Sequence, residues 1–142
     1  SRVDWRLPVH RPTHTVLMAS GLQALGRRFH PHRPRRGRMG SQIHIVQTTL
    51  PGVWIEAEVG DFAQRMIEAG AACIQHETVR SIYRWQGEIE SESEWRLQMK
   101  VALTRLDGVL EKLNELHPYD TPQVLVWEAD APTSYGDWID SA

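Results

Sequence analysis

The chain has 142 residues, 41 % of them hydrophobic, enough for one domain with a sizeable core. No apolar run approaches the roughly 18 residues of a membrane span, so a soluble protein is expected. The single cysteine, Cys73, excludes a disulfide framework within the chain and a CxxC-type zinc site, and points to a reducing compartment.

The net charge of −2 conceals an uneven split. Residues 1–40 hold nine arginines against one acid, Asp4, a balance of +8; residues 41–142 hold seven basic and seventeen acidic residues, a balance of −10. A boundary is therefore expected near Met39-Gly40-Ser41. The stretch GRRFHPHRPRRGRMG has no acids and no periodicity, so it is expected not to fold alone. Three readings stand for it. It is a solvated tail or sequence upstream of a start at Met39, an organelle-targeting segment, or a polyanion binder acting through Arg27, Arg28, Arg33, Arg35, Arg36 and Arg38. Only Phe29 is interleaved with those arginines, which weakens a nucleic-acid role.

From Gln42 the pattern becomes regular. QIHIVQTT is a β-rich run closed by Pro51-Gly52. Val59, Phe62, Ala63, Met66 and Ile67 then recur at helical spacing, with Gly70 at the C-cap position. AACIQHETVRSIYRW reads as a long strand, and Gln86-Gly87 as a tight connection to a second one. In that second strand Trp95, Leu97, Met99 and Val101 alternate with Glu94, Arg96, Gln98 and Lys100, which predicts one buried and one wet face. Thr104 and Asp107 have the spacing of a capping box. Leu103, Leu106, Leu110 and Leu113 form the buried stripe of the helix that follows, which Pro118 stops. QVLVWEA is the last strand, and SYGDWI a short terminal helix or turn.

The order is strand, helix, strand, strand, helix, strand. It predicts an α+β fold: a ferredoxin-like βαββαβ sandwich, with an antiparallel sheet and both helices on one face. Hairpin arms near fifteen residues exceed the usual strand length and outreach such a body. Long hairpins and uncovered sheet faces favour pairing between subunits, so a closed oligomer is expected.

GAACIQ, SIYRWQGEIE, ELHPYDTPQV and the closing SYGDWI resemble, in order and spacing, the CutA divalent-cation tolerance proteins. The match spans roughly residues 42–140. The resemblance implies a ferredoxin-like homotrimer whose sheets pack around the threefold axis, in the cytoplasm or, by way of the basic extension, in an organelle. It also implies a link to copper (Cu²⁺) and other divalent metals, no enzymatic reaction, and likeness to PII signalling proteins, whose inter-subunit clefts bind small anionic ligands. Where many members carry Thr-Cys-Pro, this chain has Thr49-Leu50-Pro51, and Leu50 cannot ligate. Where some members have two histidines before Pro-Tyr, only His117 remains, and the loop PGVWIEAEV is longer by two or three residues.

The residues themselves leave two readings for each candidate. His117 is a metal ligand, or it satisfies helix-end carbonyls at a tight turn. Cys73 matches the family's second-strand cysteine, and is a soft ligand for copper or a small core hydrophobe. Glu88, Glu90, Glu92 and Glu94 line one side of a strand, and hold cations loosely or protect a hairpin edge. His44 and His76 read as ordinary strand residues. Tyr83, Trp85 and Trp95 are packing aromatics, or Tyr83 and Trp85 wall a cleft between subunits where Arg84 and Lys100 grip an anion. Tyr119 packs against a neighbouring subunit or joins a small site at the subunit boundary. No nucleophile–base pair, glycine-rich phosphate loop or two-histidine motif supports an enzyme. The leading expectation is a non-enzymatic trimeric metal-associated protein needing no metal to fold; the alternative is a PII-like signalling module.

Overall fold

The structure, a computed structural model, describes residues 40–142. The readings of the basic extension, Gly40 apart, fall outside the described residues. Four strands and three helices follow Gly40: β1 (Ser41–Pro51), α1 (Glu56–Ala69), β2 (Cys73–Trp85), β3 (Glu88–Val101), α2 (Leu106–Leu116), β4 (Leu125–Ala131) and α3 (Thr133–Ser141). The sheet has the order β2-β3-β1-β4, and its ladders are antiparallel. This is the expected ferredoxin-like winding. No described helix is long and apolar enough to cross a membrane.

Period-two alternation builds the main core. Val46, Leu50, Leu97, Met99 and Val101 point to one face, where Val59, Phe62 and Met66 of α1 and Leu106, Val109, Leu110 and Leu113 of α2 cover them. Each fully buried aliphatic side chain contributes about 2 kcal/mol of transfer free energy, so this layer holds the helices to the sheet. Ile67, expected on the apolar face of α1, is 43 % exposed; the stripe that meets the sheet is narrower than the helical spacing allowed. A second cluster lies on the other face, where Ile139 of α3 packs with Ile43, Ile45, Ala102 and Ala131. The face expected to be open is thus closed at one end by α3. Its close approach depends on Gly136, where a Cβ would come within 2.1 Å of the Ser41 side chain.

The turns follow local chemistry. Gly70 ends α1 with φ 129°, a conformation few other residues tolerate, and its N–H donates to the Ile67 carbonyl. Gln86 (φ 47°) and Gly87 (φ 82°) close the hairpin between the paired Trp85 and Glu88, with both turn residues left-handed as a two-residue hairpin requires. The capping box expected at Thr104–Asp107 does not form. Leu103–Arg105 make a 3₁₀ turn instead, and neither Ala102 nor Arg105 has a side-chain cap. The chain leaves β3 already turning, which moves the helix start past Thr104. β4 likewise starts two residues later than the apolar run, at Leu125.

Glu94 was expected on the wet face, yet it is 4 % exposed. The turn after α2 folds over that end of the sheet, and the Tyr119 hydroxyl lies 3.4 Å from Glu94 Oε2.

Candidate functional site

The polar groups with the densest connections gather where β1 ends. Its register brings Thr48 opposite Leu97 and Thr49 opposite Arg96, beside the turn that leaves α2. That helix stops at Leu116. His117 is its C-cap in extended conformation, ψ 132°, as the residue before a proline favours. This backbone choice aims the imidazole back at β1. Nδ1 of His117 accepts the backbone N–H of Tyr119 at 3.1 Å. A backbone amide can only donate, so Nδ1 holds the lone pair and Nε2 the proton. Nε2 then donates to the Thr49 carbonyl at 2.9 Å and lies 2.9 Å from Thr48 Oγ1. The Tyr119 ring stacks obliquely on the His117 ring, with centroids 5.1 Å apart, and its hydroxyl reaches Glu94. One connected set thus ties β1, the α2–β4 turn and β3 together.

Cys73 stands elsewhere. It is half-buried and pairs with Lys100 on the sheet face away from α1 and α2. The Lys100 ammonium donates to Gln75 Oε1. Arg96, the partner of Thr49, is four residues from Lys100, the partner of Cys73, roughly 13 Å along β3. One ion therefore cannot take both His117 and Cys73 of the same subunit. Among the described residues no group of three or more His, Cys, Asp or Glu is placed to hold a metal. With both His117 nitrogens engaged, the donors of one subunit do not fit a metal centre.

The residues considered for an anion cleft are also spread out. Tyr83 and Trp85 pair with Glu90 and Glu88 near the hairpin tip. Arg84 points to the other face, beside Ile82 and Ile89. Lys100 is ten residues along β3 from Glu90, roughly 33 Å, and Tyr119 belongs to the His117 set. A single subunit does not bring these side chains together.

From the sequence, Thr48 had no role, and Thr49 and Glu94 had roles other than the one they take here. Thr48 and Thr49 are 0 % and 5 % exposed, and only their place ahead of Pro51 marked them. Glu94 was hidden among four alternating glutamates. His44, read as an ordinary strand residue, is 2 % exposed and sits opposite Glu128 in register, with Nε2 at 3.6 Å from Oε1. Burial lowers the His44 pKa from 6.5, while the charge of Glu128 and its hydrogen bond oppose that shift.

Known proteins share this fold. The family model described as CutA1 divalent ion tolerance protein matches residues 45–142. The divalent-cation tolerance protein CutA of Thermotoga maritima is 30 % identical over 97 residues, covering 67 % of this chain and 93 % of that protein. The structure of CutA from Synechococcus elongatus PCC7942 superposes with a TM-score of 0.66 at 33 % identity, over 72 % of this chain and 91 % of that one. The PII-like protein CutA from Nostoc sp. PCC 7120, in apo form, gives a TM-score of 0.59 at 33 % identity, over 68 % and 92 % of the two chains. The family model covers both strands of the hairpin, the His117–Tyr119 turn and α3, so the chain belongs to the CutA1 divalent ion tolerance family, with the PII-like fold.

Proposed function

We propose that this chain is a non-enzymatic homotrimer of the divalent-cation tolerance kind, associated with copper (Cu²⁺) and other divalent ions. The observation that carries the reading is the sheet itself. β2 and β3 run on past the helices, and the face away from α1 and α2 is only partly covered. Such a surface favours burial against further copies of the chain. Within one subunit no three-ligand cluster forms among the described residues, so a copper site is completed by donors from more than one subunit. Cys73 is then the more available donor. His117 contributes only if its Nε2 leaves Thr48 and Thr49, since ligation needs a lone pair. Copper is preferred over zinc because it binds N/O/S donors most tightly in the divalent series.

The test is a calorimetric Cu²⁺ titration of the full chain beside Cys73→Ser and His117→Ala, with the oligomer followed by light scattering. Saturable binding tighter than about micromolar, roughly −8 kcal/mol, that Cys73→Ser weakens at least tenfold while the trimer persists supports the reading. Equal affinity in all three proteins removes both residues from any site.

A second reading is supported by the likeness to a PII-like CutA. In it an inter-subunit cleft walled by Tyr83 and Trp85 holds a small anion. Arg84, Lys100 and Tyr119 reach that cleft from different subunits, because one subunit separates them. Protection of Arg84 and Lys100 from chemical modification by a nucleotide distinguishes this reading from the first.

A further inference from the structure

On the sheet face away from α1 and α2, side chains stand in rows that cross the strands. The register sets Gln75, Gln98 and Gln47 side by side in one row, with Leu125 at its end. The rows on either side, about 7 Å away along the strands, carry ions. In one, Arg96 stands between Glu77 and Thr49 and donates to the Glu77 carboxylate. In the other, Lys100 stands between Cys73 and Ile45 and donates to Gln75 Oε1. The glutamine row is the uncharged polar strip between them.

Within that strip Gln98 Nε2 donates to Gln47 Oε1 at 2.9 Å. A primary amide has two N–H donors and one carbonyl acceptor, so this bond leaves a group of each kind over. Lys100 holds Gln75 by its oxygen, and no bond joins Gln75 to Gln98 among the described residues. The Gln47 NH₂ and the Gln98 carbonyl therefore remain as a donor end and an acceptor end. Such a pair is complementary to another copy of itself.

We propose that the Gln47–Gln98 pair is the element by which copies of this chain recognise one another across this face. The Gln47 NH₂ of one copy donates to the Gln98 carbonyl of the next. This rests on the homotrimer reading above and names what that packing recognises. Three arguments carry it. Taking an ion out of water costs far more than taking an amide that keeps its hydrogen bonds, so the closest approach between copies falls on the row without ions. A covered amide must also find partners, and the same pair on a neighbour offers the groups that are missing. Finally, a donor end meeting an acceptor end repeats head to tail, and a rotation that closes turns the repeat into a ring of amides. Apolar side chains would bury as well but would not dictate which row meets which.

The experiment is subunit exchange between light and isotopically heavy preparations of the full chain, read by native mass spectrometry at a temperature where the parent exchanges over hours. Gln98→Leu is compared with the double variant Gln47→Leu, Gln98→Leu, the fold of each being checked by circular dichroism. Gln98→Leu strands the Gln47 amide, so it exchanges about tenfold faster than the parent or more, or stays monomeric, the scale of an amide left unpaired. The double variant strands nothing and exchanges within about threefold of the parent, because replacing both partners is nearly neutral. Exchange of Gln98→Leu at the parent's rate overturns the proposal. So does a double variant as labile as the single one, which would mean that the row acts by shape alone. A parent that is monomeric sinks the homotrimer reading itself.

Discussion

The Nε2–H of His117 donates to the Thr49 carbonyl at 2.9 Å, and the same ring accepts the Tyr119 amide at Nδ1. This pair of bonds sets the tautomer and fastens the α2–β4 turn to the last residues of β1. The imidazole also meets the edge of Phe62, with ring centroids 6.2 Å apart. His117→Ala removes two hydrogen bonds, each contributing about 1 kcal/mol, and opens a gap beside Phe62. The variant is expected to be about 2–3 kcal/mol less stable, read from the midpoint of guanidinium unfolding at unchanged m-value. An unchanged midpoint would remove His117 from the scaffold and return it to ligand duty alone.

His44 makes stability depend on pH in a defined direction. Its pKa in the folded chain lies below 6.5 because burial outweighs the attraction of Glu128. As pH falls below 6.5 the unfolded chain takes up the His44 proton before the folded chain does, so stability falls with it. Above pH 6.5 His44 is neutral in both states and its contribution is fully present. The His44→Gln variant should therefore lose less stability than the parent between pH 7 and pH 5 in thermal unfolding. A parent and a variant with parallel pH profiles would show that His44 does not carry this term.

Gly52 lies against the backbone of β3. A Cβ there would fall 2.1 Å from the Ser93 carbonyl oxygen, an atom that cannot rotate away. Gly52→Ala should destabilise by about 2 kcal/mol through forced separation. It should also speed hydrogen exchange in the loop that follows, since that loop is held by the same approach. Wild-type exchange rates in the variant would mean that the loop is anchored elsewhere.

Trp95 spans the same junction, its indole N–H donating to the Trp54 carbonyl at 2.9 Å. The ring is half-buried rather than enclosed, and an edge-on His76 ring stands 5.6 Å away. Trp95→Phe keeps much of the apolar area and deletes one hydrogen bond, so a loss of about 1 kcal/mol is expected. Trp95→Ala should cost about 3 kcal/mol, at the low end for a buried aromatic. If the two variants were equally stable, the ring would be a bystander to packing.

Much of the architecture was legible in local patterns. The alternation Trp95, Leu97, Met99, Val101 identified β3 and its covered face, because strand geometry sends every second side chain the same way. Gly70 and the Gln86-Gly87 pair marked their turns because a positive φ restricts residue choice. The capping box at Thr104 misled, since its spacing recurs wherever the chain curls and only the approach from β3 decides which residue opens the helix. Glu94 misled for a related reason: its period placed it on the outer face, and nothing local announced that Tyr119 would cover it.

Composition and periodicity by themselves determined that residues 41–142 form a four-stranded α+β sandwich with a protruding hairpin, because each element's burial pattern is written in its own few residues. The placement of His117 on Thr49, of Tyr119 on Glu94, and of Cys73 far from both was decided only by the tertiary structure. The two hydrogen-bonded relations join residues 25 and 68 positions apart, and no periodicity records which distant strand a side chain will meet. They arise from sheet register and from where one turn folds back, and both are set by packing the whole core at once.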